Sequence, residues 1–449
     1  MAGPLRRVLV ANRGEIALRV IRACRELGLE TVAVHSEADS DSLPVRAADQ
    51  AVCIGHAPSA KSYLDPRAIV GAALAYRADA IHPGYGFLSE KAAFAELCAQ
   101  QGITFVGPDA GVIAQMGDKI AARRLAKAAG VPTTPGSEGA VADRREAMSI
   151  ALDIGFPVLL KAAAGGGGRG MRIVTRAEDL ERLLGEAMGE AAVAFGDPAI
   201  YVERYLTNVR HIEIQVLGDG EHVVHLGERD CSIQRRNQKL VEEAPSPVLD
   251  AELRRRIGES AVALCRQVGY KSAGTIEYIL DQDSGEFYFM EMNTRIQVEH
   301  AVTEQVTGMD LVKEQIRVAA GEHLSVPLKE DFKLRGHAIE FRINAEDPVT
   351  FAPNPGKIRE LHLPGGPGVR IDTAVYRDYV VPPHYDSLIA KLIVTGKDRA
   401  EAIARGRRAL EQFVIEGVKT TIPLHRAILN NEKFVRGDIS TRFMEEFER

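Results

Sequence analysis

The chain has 449 residues, 45% of them hydrophobic and 26% charged, with no Trp and a formal net charge of -6. At roughly 150 residues per domain this length predicts about three domains, and the slightly acidic balance gives no reason to expect a nucleic acid as the main partner. No stretch approaches the roughly 20 apolar residues of a membrane-spanning helix, so we expect no membrane partner.

The N-terminal segment MAGPLRRVLVANRGEIALR has an apolar run too short for the core of a signal peptide, and arginines follow it at once. The five cysteines are scattered along the chain and include no CxxC pair, which disfavours a disulfide framework and a cysteine zinc site. We therefore expect a cytoplasmic protein of a reducing compartment.

Short β-branched segments alternate with helical patterns over the first hundred or so residues, in the order RVLVA, EIALRVIRACRELG, TVAVHS, DAIHPG and ITFVG. This alternation predicts a parallel α/β sheet. The first turn, ANRGE, lacks the GxGxxG pattern, so a dinucleotide cofactor is not supported. Asn12, Arg13 and Gly14 lie where a doubly wound fold places its ligand contacts.

A glycine-rich segment follows the first part of the chain. The helical pattern KIAARRLAKAAG is predicted to end at Gly130, and FPVLLKAAAGGGGRGMRIV then predicts a strand, a glycine loop and a strand. The run 165–168 has backbone freedom that would let its amides lie against phosphate oxygens, and Lys161 would add a point charge. The alternative is a flexible hairpin turn. The P-loop pattern GxxxxGK[ST] is absent.

Two carboxylates on successive predicted strands indicate a metal site. A nucleoside triphosphate needs Mg²⁺, which prefers carboxylate and phosphate oxygens. Glu277 lies in GTIEYIL and Glu291 in EFYFMEMN, and the turn DQDSG between them predicts a hairpin. The hairpin would bring the two carboxylates together, with Asn293 two residues further on. Glu277 taken alone is an ordinary strand carboxylate.

The segment 291–299 alternates polar and apolar residues, which predicts one polar face of a strand. Arg295 is suited to a small planar oxyanion, because its guanidinium can donate two parallel hydrogen bonds. Gln297 adds a neutral donor, and Glu299 would act as a general base on that anion. The alternative is a solvated strand face, which the absence of Lys disfavours.

Several long motifs resemble the biotin carboxylase family of the ATP-grasp superfamily. They are GGGGRGMR after Lys161, HIEIQVLGD, ERDCSIQRRNQKLVEEAPSP, EMNTRIQVEHAVTE and GHAIEFRINAEDP, and the likeness runs in order from ANRGEIALR and HPGYGFLSE to HYDSLIAKL. The resemblance implies an α/β protein with a Rossmann-like N-terminal domain over 1–117. An ATP-grasp domain would cover 118–330 with a mobile lid at about 134–206, and a C-terminal biotin carboxylase domain would cover 331–449.

The resemblance implies carboxylation of biotin with ATP, bicarbonate and Mg²⁺ or Mn²⁺, by way of carboxyphosphate. The ATP contacts that it implies are Lys119, Lys161, Gly166, Gly167, Glu203, Leu206, His211 and Gln234, with Lys239 near both the phosphates and bicarbonate. The metal contacts are Glu277 and Glu291, with Asn293 close by. Bicarbonate would lie against Arg295, Gln297 and the backbone of Val298, with Glu299 as the base. Arg342 and Tyr85 would meet biotin.

Structural roles are the alternative for several of these residues. His211 would also suit an ordinary strand position, and Lys239 a solvated basic turn. Arg342 would also suit an ion pair with Glu340 or Glu346, since a buried Arg is usually paired.

Three positions depart from the family pattern. Arg204 stands where the family commonly has Lys, Asn237 where some relatives have His, and Ala301 where Pro is frequent. We expect these departures to affect substrate or nucleotide affinity and not the reaction.

The resemblance also predicts partners. The chain has no Met-Lys dipeptide of the kind that receives biotin, so biotin is expected on a separate carrier protein. The carboxyltransferase is expected as another chain, which would make this the first half-reaction of an acetyl-CoA or other acyl-CoA carboxylase. Relatives place the position of Arg19 near a subunit contact, so we expect a homodimer. The alternative functions are another ATP-grasp carboxylate-amine ligase and an idle nucleotide-binding regulatory subunit.

Overall fold

The computed structural model describes residues 5–163, 171–326 and 334–447. A parallel sheet with strand order β3-β2-β1-β4-β5 opens the chain, which confirms the predicted α/β arrangement. Its strands are β1 Arg7–Val10, β2 Glu30–Ser36, β3 Gln50–Gly55, β4 Ala80–His82 and β5 Thr104–Phe105. Its helices are α1 Gly14–Glu26, α2 Leu43–Ala47, α3 Pro66–Ala75, α4 Ala92–Gln100 and α5 Ala110–Gly117.

Strand β1 is apolar from Val8 to Val10 because both faces of this sheet are covered. Val8 and Val10 pack in one cluster with Ile16 of α1, whereas Leu9 packs in a second cluster with Ile69 of α3. Strands buried on both faces in this way are typical of parallel sheets.

A small antiparallel sheet follows, with strand order β7-β6-β8. Its strands are β6 Val158–Ala162, β7 Met171–Val174 and β8 Ile200–Arg204, and the helices of this part are α6 Lys119–Ala128, α7 Arg144–Ile154 and α8 Leu180–Phe195. Lys161 pairs with Met171, so the two predicted strands are antiparallel neighbours. The predicted phosphate loop 165–168, with Gly166 and Gly167, lies outside the described residues.

A large sheet forms the body of the protein. The strands of the middle part are β9 Val209–Asp219, β10 Val223–Arg235, β11 Gln238–Ala244, β12 Lys271–Asp281 and β13 Phe287–Asn293. Those of the last part are β14 His337–Asn344, β15 Gly356–Lys357, β16 Glu360–His362, β17 Val369–Thr373, β18 Val380–Val381, β19 Leu388–Gly396 and β20 Val414–Glu416. Among the described residues, eight of these strands form the large sheet in the order β13-β12-β9-β10-β11-β14-β19-β17, whereas β15 pairs with β18 and β16 with β20 in two small separate sheets.

Helices cover the large sheet and its C-terminal end. They are α9 Ala251–Gln267, α10 His300–Thr307, α11 Leu311–Ala319, α12 Arg399–Gln412, α13 Ile422–Asn430 and α14 Glu432–Arg436. Among the residues that the structure describes, no helix combines the length and apolar character needed to cross a bilayer.

The two largest parts of the chain share this one sheet. Strand β11 pairs with β14 in antiparallel register, and Glu242 lies directly opposite Glu340. The expected division between 330 and 331 therefore separates β11 from β14, although these two strands pair in one continuous sheet.

The prediction that one strand carries the whole row 291–299 is wrong. Strand β13 ends at Asn293, which pairs with Thr275 of β12, and Glu299 is the residue just before α10, with no capping hydrogen bond from its side chain. The backbone N–H of Thr294 donates to Glu90 at 3.1 Å as the chain leaves the sheet. Asn293, Gln297 and Glu299 are nevertheless buried, whereas Arg295 is half-buried and Glu291 is exposed at the edge of the sheet. The alternation came from a strand end followed by a tight turn.

Gly136 holds the segment before α7 against strand β8. A Cβ at this position would lie 2.3 Å from the carbonyl oxygen of Val202 and 2.9 Å from Cα of Glu203. We expect Gly136→Ala to push β8 away and to destabilise the small sheet by about 1–3 kcal/mol. Gly139→Ala is the matched control, because a Cβ there meets nothing within 4 Å. Hydrogen exchange in β8 would be faster only in Gly136→Ala, and equal rates in both variants would contradict the prediction.

Candidate active site

A cavity of about 640 Å³ lies between the large sheet, the small sheet and the start of the last part of the chain. It brings together nearly all of the described residues that the sequence singled out. These are Tyr85, Lys119, Lys161, Glu203, His211, Gln234, Lys239, Glu277, Glu291, Asn293, Arg295, Gln297, Val298, Glu299 and Arg342. Leu206 is the exception: it is half-buried in the connection from β8 to β9 and is not among the described residues that line the cavity.

The polar face of the large sheet follows from strict alternation along β9. Ile212, Ile214 and Val216 pack into the hydrophobic core beneath α9, so the residues between them face the other way. Those residues include His211 and Glu213. Strand β9 is buried on both sides, but only one side is apolar.

A row of charged residues crosses four strands on this polar face. Glu291 of β13 pairs with Glu277 of β12, Glu277 with Glu213 of β9, and Glu213 with Arg229 of β10. Directly paired residues lie on the same face with their Cβ atoms about 5 Å apart. The predicted hairpin contact between Glu277 and Glu291 is therefore confirmed, and it is part of a longer row that the sequence did not reveal.

Lys239 of β11 brings a buried positive charge to this row. Its Nζ lies 2.6 Å from Glu213, 3.0 Å from Glu277 and 2.7 Å from Glu299, and it also donates to Gln297. Burial lowers the pKa of Lys239, but the three carboxylates outweigh this effect and raise it well above its usual value. Lys239 is thus not part of a solvated basic turn.

Glu277 and Glu291 differ sharply as candidate metal ligands. The amides of Asn293 and Gln297 each donate to Oε1 of Glu277 at 3.0 Å, and Nε2 of His211 lies 3.2 Å from Oε2. Burial opposes ionisation of Glu277, but Lys239 and His211 lower its pKa well below the usual value. Loss of solvent around the carboxylate raises the pKa of Glu291, and the negative charge of Glu277 raises it further.

Two carboxylates held side by side in this way fit a divalent cation. Bound Mg²⁺ would relieve the repulsion between Glu277 and Glu291 and would supply charge neutralisation for phosphate oxygens. Asn293 fits less directly, because its Oδ1 already accepts a hydrogen bond from Arg295 at 3.0 Å.

Glu299 is held between two cations. Its Oε1 accepts from Lys239 at 2.7 Å and its Oε2 accepts from Arg342 at 3.0 Å. Burial raises the pKa of Glu299, but Lys239, Arg342 and Arg229 together lower it far below the usual value. Glu299 is therefore ionised and able to accept a proton.

Arg342 of β14 is buried and paired, but not with the partners named from the sequence. Its Nε donates to Glu242 at 2.5 Å and its Nη2 donates to Glu299 at 3.0 Å. Within the part of the chain that the structure describes, the alternative partners Glu340 and Glu346 accept no hydrogen bond from the Arg342 side chain, although both lie nearby in sequence.

Glu242 and Glu340 form a buried carboxyl pair that sequence reasoning missed. They lie opposite each other on β11 and β14, and in the described chain Oε2 of Glu242 and both carboxyl oxygens of Glu340 have no hydrogen-bond partner. Burial raises the pKa of Glu242 to about 7, and burial also raises the pKa of Glu340 well above the usual value. The sequence contains only a weak indication of this pair, since only the register between β11 and β14 brings Glu242 and Glu340 together.

Arg295 is already held by neighbours. Its Nε donates to Glu90 at 2.8 Å, its Nη2 to Asn293 and its Nη1 to the backbone oxygen of Ile296 at 3.1 Å. An anion would have to replace some of these contacts. Glu90 lies within the motif HPGYGFLSE but was not singled out as a site residue.

A buried lysine that was also missed links two residues that line one end of the cavity, Val298 and, through Glu15, Tyr85. Nζ of Lys391 donates to the backbone oxygen of Val298 at 2.7 Å and lies 3.1 Å from Glu15. Glu15 in turn accepts from the hydroxyl of Tyr85 at 2.5 Å. The side chain of Lys391 is fully buried, so these contacts hold Val298 and Tyr85 in fixed relation.

The opposite end of the cavity is formed by the small sheet and α6. Nζ of Lys161 lies 3.3 Å from Oε2 of Glu203, and the guanidinium of Arg123 donates to Oε1 of the same carboxylate. Arg123 also donates to the backbone oxygen of Thr134 at 2.5 Å. Arg123 belongs to the predicted helix but was not predicted as a site residue.

The three departures from the family pattern have different settings. Arg236 and Asn237 both have positive φ angles, of 48° and 65°, at the two-residue turn from β10 to β11. Asn adopts this conformation more readily than most residues. Arg204 is exposed at the end of β8, and Ala301 is buried in the first turn of α10. Their effect on affinity remains a prediction.

Family models match the chain in three consecutive parts. These are the biotin carboxylase N-terminal domain over residues 4–113, the ATP-binding domain of the carbamoyl-phosphate synthase L chain over 118–326, and the biotin carboxylase C-terminal domain over 340–446. The chain is 57% identical over 445 residues to a biotin carboxylase from Nostoc sp., and the alignment covers 99% of both chains.

Solved structures resemble the whole chain. A biotin carboxylase from Campylobacter jejuni in a beta-gamma-ATP complex has a TM-score of 0.93 at 48% identity, with 99% of each chain covered. The biotin carboxylase domain dimer of a 2-oxoglutarate carboxylase from Hydrogenobacter thermophilus, in complex with MgADP, ADP and bicarbonate, has a TM-score of 0.91 at 53% identity. The alignment covers 99% of this chain and 98% of that one. These matches confirm the predicted fold class.

The raised pKa of Glu242 predicts a pH-dependent stability. Between its usual value of 4.5 and about 7, the folded protein binds more protons at this site than the unfolded chain, so the contribution of Glu242 is complete below pH 4.5 and is lost as pH rises through about 7. Glu242→Gln cannot titrate. Its free energy of unfolding relative to the parent should therefore increase by up to about 3 kcal/mol from acid to mildly basic pH.

Urea unfolding at the two ends of this pH range measures the difference. Glu411→Gln on the exposed side of α12 is the control and should keep the pH dependence of the parent. If Glu242→Gln differs from the parent by the same amount at both pH values, Glu242 does not titrate in this range.

Proposed function

The chain belongs to the biotin carboxylase family and catalyses the ATP-dependent carboxylation of biotin with Mg²⁺ and bicarbonate, and on this premise we propose which residues carry each step. The observation that carries the proposal is the position of Glu299, whose two oxygens contact Lys239 on one side and Arg342 on the other. The buried carboxylate of Glu299 thereby lies between Lys239, which is proposed for the phosphates and bicarbonate, and Arg342, which is proposed for biotin.

The nucleotide end of the cavity is proposed to bind ATP. Lys161 and Lys239 supply positive charge for the phosphates, and Glu277 and Glu291 hold Mg²⁺. The remaining proposed ATP contacts are Lys119, Glu203, Leu206, His211 and Gln234. Arg123 fixes Glu203 through a direct hydrogen bond and so positions this carboxylate.

Bicarbonate is proposed to lie against Arg295, Gln297 and the backbone N–H of Val298, with Glu299 accepting its proton. The low pKa of Glu299 makes it a weak base as long as no substrate anion competes for Lys239 and Arg342. A second anion competes for these cations, which weakens their hold on Glu299 and raises its basicity. The deprotonated anion then attacks the γ-phosphorus of ATP, ADP leaves, and carboxyphosphate forms.

Biotin is proposed to bind beside Arg342 and Tyr85. Carboxyphosphate breaks into CO₂ and phosphate, the phosphate takes the proton of the biotin ring nitrogen, and this nitrogen attacks CO₂. Arg342 stabilises the enolate form of biotin as negative charge develops on its oxygen, because a fixed guanidinium inside a buried site is strongly stabilising.

The setting of the reaction is also proposed. Biotin would arrive on a separate carrier protein, and a separate carboxyltransferase would use the product in a cytoplasmic complex. A homodimer is supported by the dimer of the 2-oxoglutarate carboxylase domain. The division into 1–117, 118–330 and 331–449 is supported by the ranges that the family models match. Relatives that act in different carboxylases leave the final acceptor, an acyl-CoA or a keto acid, unassigned.

Glu291→Gln tests the metal role. We expect ATP turnover to fall by at least about 10²-fold, because Mg²⁺ between protein and phosphates loses a charged ligand at the reacting centre. Glu286→Gln is the matched control, since Glu286 lies at the same hairpin but pairs with Arg256 on the surface. Turnover measured across a Mg²⁺ titration should require more Mg²⁺ only in Glu291→Gln. The same Mg²⁺ dependence in parent and variant would exclude this role.

Arg342→Gln and Glu299→Gln separate the two halves of the reaction. Arg342→Gln leaves Glu299 in contact with Lys239, so bicarbonate-dependent ATP hydrolysis should persist in part. Carboxybiotin formation should fall by about 10²-fold or more, as for loss of a donor to a developing oxyanion. Glu299→Gln should lower both activities together, because no base remains for bicarbonate.

Phosphate release and carboxybiotin are measured in parallel, with free biotin as the acceptor. The parent should hydrolyse ATP only when bicarbonate is present, and faster when biotin is added. If Arg342→Gln lowers both activities equally, Arg342 does not act on biotin alone and its role must be reassigned. If the parent hydrolyses ATP at the same rate with and without bicarbonate, the proposed site as a whole is contradicted.

A further inference from the structure

A cluster of two histidines and one aspartate lies outside the candidate active site. Asp219 is the last residue of β9, His222 lies in the turn to β10, and His323 lies in the segment after α11. One potential ligand atom from each residue lies within 4.8 Å of the others. The two rings are exposed, whereas the side chain of Asp219 is only 2% exposed.

The carboxylate of Asp219 is fixed by the backbone before any ligand arrives. Its Oδ1 accepts hydrogen bonds from the N–H groups of Glu221 at 2.9 Å and His222 at 2.6 Å. Its Oδ2 accepts from the N–H of Leu324 at 3.2 Å. These contacts come from both segments that carry the histidines, so the carboxylate is oriented toward the space between the two rings.

Both histidines turn the same ring atom to the same carboxylate oxygen. Nδ1 of His323 lies 3.3 Å from Oδ2 of Asp219, and Nδ1 of His222 lies 3.6 Å from it. A hydrogen bond accounts for the first contact but not for the second, because 3.6 Å is beyond hydrogen-bond range. Hydrogen bonding alone therefore gives no reason for His222 to face this oxygen.

A tetrahedral ion does give such a reason. With bonds of about 2.0–2.2 Å, a tetrahedral Zn²⁺ places its ligand atoms roughly 3.3–3.6 Å apart. The two measured separations of Nδ1 from Oδ2 fall in this range. When an ion binds, only the distance between the exposed rings of His222 and His323 would have to change.

We propose that Asp219, His222 and His323 form a binding site for a divalent transition-metal cation of the Zn²⁺ class, with water in the fourth position. Imidazole nitrogen with one carboxylate suits such ions and not Mg²⁺, which prefers oxygen ligands. The ion would connect the turn between β9 and β10 to the segment after α11.

The proposed site is structural and separate from the reaction. Asp219 lies six residues along β9 from Glu213, which is roughly 20 Å at about 3.3 Å per residue. Its occupation should stabilise the two joined segments and leave the chemistry of the cavity unchanged.

Titration of the tag-free full chain with Zn²⁺, after treatment with a chelator, tests the site. Excess Mg²⁺ and ADP are present throughout, so that the carboxylates of the nucleotide site are occupied alike in every sample. We expect His222→Ala/His323→Ala to bind one Zn²⁺ fewer per chain than the parent. Each single variant should bind at this site at least about 10²-fold more weakly, because loss of a partner that only supports a ligand already costs 10–100-fold.

Two further measurements make the outcome decisive. Co²⁺ in place of Zn²⁺ should give the visible absorption of a tetrahedral site in the parent and not in the double variant. His362→Ala, which removes an exposed histidine on β16, should bind like the parent. Bicarbonate-dependent ATP turnover should be unchanged in all variants, which verifies that they are folded. If the double variant binds as many Zn²⁺ ions as the parent with the same affinity, the proposal is overturned.

Discussion

The buried ammonium group of Lys239 is the charge on which the rest of the site depends. It contacts Glu213, Glu277 and Glu299, which come from β9, β12 and the start of α10. Without it, carboxylates from three elements would share a buried space, and removal of one partner from such a cluster typically costs about 3–5 kcal/mol. Lys239 offsets the repulsion that arises where the strand register brings Glu213 opposite Glu277, so the same interaction stabilises the sheet and shapes the site.

This charge arrangement also explains how the site can receive anions. In the protein alone, carboxylates occupy the donors of Lys239, Arg342 and Arg295. In the proposed mechanism, phosphate and bicarbonate would not enter an empty positive pocket but would replace contacts that already exist. Each replacement would release a carboxylate from a cation, and for Glu299 that release would turn an ionised but weak base into a stronger one. Binding of the substrate and activation of the base are therefore linked through the same two cations.

The sequence alone predicted those parts of the site that depend on local spacing. The hairpin that joins Glu277 to Glu291 was predictable because its turn and its alternation lie within about twenty residues. The prediction that this strand continues to Glu299 was wrong. An alternation of polar and apolar residues cannot distinguish a strand from a turn whose polar side chains are also buried. The partner of Arg342 and the pairing of Glu242 with Glu340 depend on the register between β11 and β14, about 100 residues apart, which no local pattern contains.

That long-range register fixes the relation between the two halves of the proposed reaction. Lys239 and Glu242 lie on β11, Arg342 lies on β14, and backbone hydrogen bonds hold the two strands side by side. The two cations that contact Glu299 are thus positioned by paired strands of a continuous sheet and not by loops. The small sheet is different, because β6, β7 and β8 pack with α7 and α8 in a hydrophobic cluster of their own. Any movement that admits ATP is therefore expected on the side of Lys161 and Glu203, where it leaves the spacing of Lys239, Glu299 and Arg342 unchanged.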